Sequence, residues 1–211
     1  KYILDETLAL LAIDSPSGMT AKAAEHVMAR FEALGYQPER TRKDGVVVCL
    51  GGKNMDDAIL LEAHMDTLGG MVAEIKGNGR LRITRIGGLN ANNVETETCR
   101  VYTKFDGVYE GTAQLINPSI HVNGKYDDTT RTFDSIEIVL DEDVSSADDL
   151  RNLGLEVGDI VAFDPRTRVT DSGYIKSRFL DDKLSVGILL GFAKYIKDTG
   201  AHLGRRTYVH V

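Results

Sequence analysis

Hydrophobic positions in the first 35 residues repeat at helical spacing. Residues 2–13 and 21–34 each carry apolar side chains three and four positions apart, which is typical of amphipathic helices. Pro16 and Gly18 lie between the two segments and interrupt the pattern. Thr20 is placed to cap the second helix, and Gly35 is placed to end it. The chain is therefore expected to begin with two helices.

Two apolar runs of strand character follow these helices. The first is "VVVCLGG", from Val46, and the second is "AILLEAHMD", from Ala58. The second run is apolar almost throughout until His64, as expected of a strand that helices cover on both faces. Helices and strands in this order indicate an α/β layer.

From about residue 71 to residue 168 the apolar positions alternate over short segments separated by Gly-rich turns such as "KGNGR". Many short alternating segments with turn signals predict a small β barrel or sandwich. Only residues 145–154 have helical character here, with Ser146 and Asp149 placed to form a capping box. The predicted strands are "MVAEI", "LRITRI", "CRVYTKF", "VYEGTAQLI", "SIEIVL" and "DIVAFDP".

Helical spacing returns in "DKLSVGILLGFAKYIKD", and "TYVHV" has the character of a further strand. The predicted architecture is an α/β domain, residues 1–67 and 169–211, interrupted by an inserted β-domain, residues 68–168. An insert of this length lies within the usual range of domain sizes. The chain lacks an initiator Met and ends within a strand pattern. We therefore expect a longer protein, and a last strand that is an incomplete part of its sheet.

Composition narrows the class of protein. The 211 residues are 42% hydrophobic and carry a formal net charge of -7, so a basic surface for nucleic acid is not expected. The apolar runs are too short to span a bilayer, and acidic residues interrupt the N-terminal pattern, which excludes a signal peptide. With only Cys49 and Cys99 present, we expect free thiols and a reducing cytoplasm.

The end of the second strand carries candidate chemistry. His64 and Asp66 are two residues apart, so in a strand they project from the same face. A neutral imidazole is a good ligand for a divalent metal, and a nearby carboxylate can hold its second nitrogen. The alternative is a hydrogen-bonded histidine at a strand end with no metal.

Asp181 and Asp182 form a second candidate cluster, between an apolar stretch and the last predicted helix. Aspartate is a common N-cap residue, but that role accounts for only one of the pair. A carboxylate can also bridge two divalent ions about 3.5–4 Å apart. Ligands bind α/β sheets at the carboxyl ends of their strands, so we expect His64, Asp66 and Asp181 to lie in one metal site.

The order of these motifs resembles the M42 family of metallopeptidases, the tetrahedral aminopeptidases related to glutamyl aminopeptidase and deblocking aminopeptidase. The similarity runs from "SPSG" to "TYVHV" and depends on "AHMDTLG", the β-domain, "LEVGDIVAFDP" and "SRFLDDK" in that order. It implies a metallopeptidase-type α/β/α catalytic domain interrupted by a small β barrel. It also implies a hydrolase with two divalent metal ions (zinc, cobalt or manganese). Such an enzyme removes N-terminal residues from peptides, often as a dodecamer.

Residue roles follow from the resemblance. His64 corresponds to a ligand of one metal, and Asp181 to the ligand that bridges both. Asp66 corresponds to the catalytic-site carboxylate that orients the imidazole. In related enzymes the peptide bond between the residues matching Asp181 and Asp182 is cis.

The chain also departs from the family pattern. Many relatives have Asp-Asp-Arg with a glycine two residues later, whereas Lys183 and Ser185 stand at those positions here. The family's adjacent glutamates, a further aspartate and a late histidine would follow "TYVHV", so the 211 residues are predicted to be inactive by themselves. Two alternatives stay open: a non-catalytic scaffold whose β-domain mediates assembly, and a related two-metal hydrolase with non-peptide substrates.

Overall fold

A computed structural model describes residues 1–211 except the side chain of Met55. The chain forms two compact units, Lys1–Thr67 with Pro165–Val211, and Leu68–Asp164. The second unit ends four residues before the sequence-based limit of 168, because its last strand ends at Phe163. Residues 168 and 169 already belong to a short hairpin of the first unit.

The first unit holds a four-stranded sheet with three helices and a separate hairpin. Its helices are α1 (Tyr2–Leu11), α2 (Ala21–Ala33) and α4 (Leu180–Thr199). Its sheet has the order β1-β2-β12-β3, with β1 Glu39–Arg40, β2 Val46–Gly51, β3 Asn54–Glu62 and β12 Arg205–His210. The hairpin consists of β10 (Arg168–Val169) and β11 (Ile175–Lys176).

All three helices of this unit pack on one face of the sheet. The shared core contains alternate strand residues, such as Val46, Val48 and Val209, together with apolar residues of α1, α2 and α4. The opposite face carries Cys49 and Tyr208, which pair across neighbouring strands and stay partly exposed. In the part of the chain that the structure describes, the sheet is therefore covered on one face only.

This arrangement overturns two expectations about single strands. Strand β3 is not covered on both faces, because Leu60 is 53% exposed; β3 is also one of the two edge strands of the sheet. Strand β12 is not an incomplete border, because it lies between β2, to which it is antiparallel, and β3, to which it is parallel. The apolar run of β3 therefore predicted a strand, but it did not indicate where that strand lies in the sheet.

The second unit is a closed barrel with strand order β4-β5-β8-β7-β6-β9. Its six strands are the six alternating segments predicted from the sequence. Their bounds are β4 Gly69–Ile75, β5 Leu81–Ile86, β6 Thr98–Tyr102, β7 Val108–Leu115, β8 Ile136–Leu140 and β9 Ile160–Phe163. Alternate residues, including Ile83, Val101 and Ile138, are fully buried, and the expected fold class of an α/β unit with an inserted barrel is confirmed.

Helix ends follow the sequence signals in part. Helix α3 (Ala147–Asn152) has the predicted capping box, in which Ser146 and Asp149 exchange hydrogen bonds. Gly35 follows α2 with a φ of +78°, as expected of a C-terminal glycine. Thr20 occupies the predicted N-cap position of α2, but its side chain makes no cap hydrogen bond. None of the helices described here combines the length and the apolar character needed to cross a bilayer.

Candidate metal centre

His64 lies between two carboxylates. Its Nδ1 is 3.0 Å from Oδ1 of Asp66, and its Nε2 is 3.1 Å from Oδ1 of Asp181, a residue 117 positions later in the chain. Strand β3 ends at Glu62, so His64 and Asp66 belong to the irregular segment that follows it. The fold thus brings together the three side chains singled out in the sequence.

The segment that carries His64 is tied to the loop after α1. The buried Ser15 hydroxyl donates to the carbonyl of Met65 at 2.7 Å, and the Thr67 amide donates to the carbonyl of Ser15 at 2.8 Å. The Ser17 hydroxyl donates to Oδ2 of Asp66. Because Oδ1 of Asp66 faces His64, both oxygens of that carboxylate have a partner.

Asp181 and Asp182 form an irregular start to α4. Their backbone angles are not helical, and the peptide bond between them is cis, as the resemblance implies. Phe179 occupies the N-cap position, and no side chain caps the helix there. Because both aspartates have non-helical angles, the regular part of α4 begins only after them, and a capping role for one of them stays a prediction. The Asp181 side chain is 94% exposed, so its carboxylate is open to a ligand.

Lys183 follows directly and is buried beneath this segment. Its Nζ donates to the carbonyl of Leu10 at 3.0 Å and to the carbonyl of Ile13 at 2.6 Å. Burial lowers the pKa of Lys183 to about 8, although the charge of Asp14 acts in the opposite direction. The residue that replaces the family's arginine thus contacts the end of α1 and the loop after it.

The charges around His64 favour its protonated form. Partial burial acts to lower the pKa of His64, but the hydrogen bond to Asp181 and the charge of Asp66 outweigh it. The pKa of His64 is therefore raised above its ordinary value. An imidazole held by carboxylates at both nitrogens is a strong binding position for a cation, because either a proton or a metal ion relieves the concentration of negative charge.

A cavity of about 850 Å³ adjoins these residues, with His64, Asp66 and Asp182 in its lining. Glu62 and His210 also line it, and Nδ1 of His210 is 3.1 Å from Oε1 of Glu62. Glu62, His210 and Ser17 are not among the site residues expected from the sequence. Strand alternation could have indicated Glu62, which is two residues before His64, but no sequence signal indicated Ser17.

The donor set fits part of a metal site. An imidazole nitrogen and carboxylate oxygens are donors that zinc and related divalent ions accept in proteins. His64 and Asp181 provide two such donors 3.1 Å apart, and Asp66 holds the other imidazole nitrogen. Among the described residues, no group of three or more His, Cys, Asp or Glu side chains is placed to hold one ion. The described residues therefore offer two neighbouring donors that suit a divalent ion.

Comparison with protein families gives a match over most of the chain. The model of the M42 glutamyl aminopeptidase family matches residues 44–210. YhfE of Bacillus subtilis (strain 168) is 39% identical over 94% of this chain and 58% of its own length. Glutamyl aminopeptidase of Lactococcus lactis subsp. cremoris (strain MG1363) is 26% identical over 93% of this chain and 55% of its own length.

Solved structures share the fold. A TET aminopeptidase from the marine sediment archaeon Thaumarchaeota archaeon SCGC AB-539-E09 superposes with a TM-score of 0.87 at 18% identity, over 99% of this chain and 57% of that one. The Pyrococcus horikoshii TET1 peptidase, described as assembling into a tetrahedron or a large octahedral shell, has a TM-score of 0.81 at 21% identity, over 99% and 60%. The chain spans somewhat more than half the length of these relatives. From the family match and the identity to YhfE, the chain belongs to the M42 glutamyl aminopeptidase family.

Proposed function

We propose that the complete protein is a metal-dependent aminopeptidase that removes N-terminal residues from peptides. The observation that carries the proposal is the placement of His64 between the carboxylates of Asp66 and Asp181, beside a large cavity, in a chain of the M42 family. Names of the relatives support the reaction class, since glutamyl aminopeptidase and lysyl aminopeptidase are both among them. These two names differ in the residue removed, so the family alone does not select a side chain.

In this proposal His64 and Asp181 bind metal through Nε2 and Oδ1, and Asp66 holds Nδ1 of His64. The chemistry that a pair of bound divalent ions would supply is a nucleophilic water whose pKa is lowered towards about 7. The Asp66 carbonyl and carboxylate near Nδ1 favour a proton on that nitrogen, so that Nε2 would keep its lone pair for the metal. The cavity beside His64 leaves room for the N-terminal residue of a peptide. Zinc, cobalt and manganese are the candidate metals.

The 211 residues alone are proposed to lack this activity. They bring two candidate metal donors together, while a catalytic site with one zinc already takes about three protein ligands. Their coverage of 58% of YhfE supports a division of the site between this chain and sequence that such relatives possess in addition. Assembly into a homo-oligomer is part of the proposal, supported by the shells described for the Pyrococcus horikoshii peptidase. A cytoplasmic location is proposed from cysteine usage, and both cysteines are free.

Metal analysis tests the ligand assignments. We expect the complete protein to bind about two divalent ions per chain, and His64→Ala and Asp181→Ala each to lose at least one. His202→Ala and Asp171→Ala are the matched controls, because both side chains are exposed and outside the cavity. Unchanged metal content in both site variants would contradict the proposal.

A panel of substrates tests the reaction. Release of an N-terminal residue from short peptides, in the presence of zinc, cobalt or manganese, is expected from the complete protein and not from the 211-residue chain. Turnover by the 211-residue chain that His64→Ala abolishes would show that its own residues include the catalytic base. Metal-dependent hydrolysis of non-peptide substrates alone would favour the related-hydrolase alternative. Absence of any turnover, with assembly intact, would favour the scaffold.

A further inference from the structure

The segment from Leu10 to Ser17, at the end of α1 and in the loop after it, contacts both candidate metal-binding segments. One of these segments carries His64 and Asp66, and the other carries Asp181. All three segments belong to the first compact unit. The two metal-binding segments are far apart in sequence, so their relative position depends on the structure between them.

On the His64 side the contacts involve both backbone and side chains. The Thr67 amide donates to the carbonyl of Ser15 at 2.8 Å, and the Ser17 amide returns a hydrogen bond to the carbonyl of Thr67 at 3.2 Å. The Ser15 hydroxyl, fully buried, donates to the carbonyl of Met65 at 2.7 Å. This short two-stranded pairing, with the bridge from Pro16 to Thr67, holds the backbone on both sides of Asp66.

Ser17 adds a contact that reaches the imidazole through one residue. Its hydroxyl donates to Oδ2 of Asp66, while Oδ1 of the same carboxylate is 3.0 Å from Nδ1 of His64. The hydrogen bond that Nδ1 makes is to the backbone carbonyl of Asp66, at 3.2 Å, so the carboxylate acts on the imidazole through its charge. The Ser17 hydroxyl, which does not contact the His64 ring, thus holds the carboxylate that faces it.

On the Asp181 side the contact is a buried cation. Lys183 is 1% exposed, and it donates to the carbonyls of Leu10 and Ile13. These carbonyls lie at the C-terminal end of α1 and just beyond it, where the helix dipole attracts positive charge, and the Leu10 carbonyl also accepts from the Ile13 amide at 3.1 Å. The backbone that carries Asp181 is thereby held two residues from a fixed point on α1.

We infer that Leu10–Ser17 sets the separation of the two metal-binding segments, with Ser17 and Lys183 as positioning residues for His64 and Asp181. The inference rests on the proposed function, because it assumes that His64 and Asp181 bind metal. It assigns a role to two residues that touch neither metal ligand directly. The effect is physical: a ligand pair held at its binding separation before the ion arrives loses less conformational freedom when the ion binds.

The experiment uses the complete protein, prepared without metal and titrated with Co²⁺, whose absorption reports the ligand geometry. Ser17→Ala is expected to weaken Co²⁺ binding roughly ten-fold, the lower part of the range found when partners of metal-binding histidines are removed. Ser17→Thr keeps the hydroxyl and is expected to stay within about two-fold of wild type. Lys183→Met is expected to weaken binding at least as much as Ser17→Ala, with Lys183→Arg as the conservative variant. Ser172→Ala and Lys22→Met, both exposed, are the controls.

Crystal structures of the metal-free variants give a readout that does not depend on metal. We expect Ser17→Ala to lose the contact between the Asp66 carboxylate and Nδ1 of His64, and Lys183→Met to separate Asp181 from Nε2. Equal Co²⁺ affinity in Ser17→Ala, Ser17→Thr and the controls, with both contacts intact, would overturn the inference. Should Lys183→Met fail to fold, the Ser17 pair decides. Should wild type and His64→Ala bind Co²⁺ alike, the proposed function fails, and the metal-free structures alone decide the positioning role.

Discussion

The barrel and the four-stranded sheet of this chain differ in how their strands are paired and how their apolar side chains are covered. Each strand of the barrel has a hydrogen-bonded neighbour on both sides, so the barrel has no open edge. The sheet ends at β3 and is covered by helices on one face only. Apolar side chains such as Ile138 are fully buried in the barrel, whereas Leu60 of the sheet is 53% exposed. A closed sheet satisfies the strand pairing of all its members, whereas an open sheet leaves an edge and a face that other parts of a protein can cover.

The difference also explains where chemistry is found. His64, Asp66 and Asp181 all belong to the unit with the open sheet, and the cavity beside them lies at the end of β3. In an open sheet the carboxyl end of a strand leads into irregular backbone that is free to present side chains. The interior of the barrel is filled by its own apolar side chains. Three changes test this contrast, and they are taken in order of expected effect.

The largest difference is expected between the reactivities of the two cysteines, because Cys49 is on the uncovered sheet face and Cys99 is inside the barrel. Burial raises the pKa of Cys99 to about 12, so at pH 8 its thiolate fraction is only about 10⁻⁴. Cys49 is partly exposed. We expect iodoacetamide to modify Cys49 at least about a hundred-fold faster than Cys99. Mass spectrometry of the native chain measures both rates, and Cys49→Ser is the control. Similar rates would show that the barrel opens readily.

The second largest difference is expected in the free energy of unfolding that is lost when matched aliphatic side chains are truncated. Ile138→Ala removes a fully buried barrel side chain and is expected to lower the free energy of unfolding by about 2–5 kcal/mol. Leu60→Ala removes a side chain of the same carbon number that is half exposed, with an expected loss below about 1 kcal/mol. Urea unfolding of the 211-residue chain measures both. A loss for Leu60→Ala as large as that for Ile138→Ala would show that the sheet face is covered in solution.

The smallest effect concerns pH and the His64 cluster in the metal-free chain. The pKa of His64 is raised in the folded state, so the folded chain binds the proton more tightly than the unfolded chain. The resulting stability is fully present below about pH 6.5 and is lost as the pH rises through the raised pKa. The His64 side chain is 52% exposed, so we expect the contribution to stay below about 1 kcal/mol.

Unfolding free energies of wild type and His64→Ala at pH 5.5 and pH 8.5 measure this contribution. The difference between the two proteins should be larger at the lower pH. His202→Ala, an exposed histidine elsewhere in the same unit, should show no such trend. A difference that grows with pH would contradict the assignment of His64 as a histidine stabilised by carboxylates.

Local pattern predicted the elements well, for a physical reason. Alternation of apolar and polar residues in segments such as "LRITRI" depends on which face of a strand meets the core, and each of the six alternating segments is a barrel strand. The proximity of His64 and Asp66 was expected from strand alternation, and the two side chains do meet, although β3 ends at Glu62 and both residues follow it. The capping box at Ser146 and Asp149 is a third local signal of this kind.

The sequence by itself therefore determined the helices, most strands, the inserted barrel and the imidazole with its nearer carboxylate. Only the tertiary structure decided that β3 is an edge strand, that β12 lies inside the sheet, and that Nε2 of His64 and Oδ1 of Asp181, expected in one site, are 3.1 Å apart. It also showed the contacts of Ser17 and Lys183. Ser17 donates to the Asp66 carboxylate, and Lys183 donates to the Leu10 carbonyl, which is far away in sequence. Hydrophobic periodicity is a property of neighbouring residues. These contacts instead depend on how the loops and helices bring residues that are distant in sequence close together.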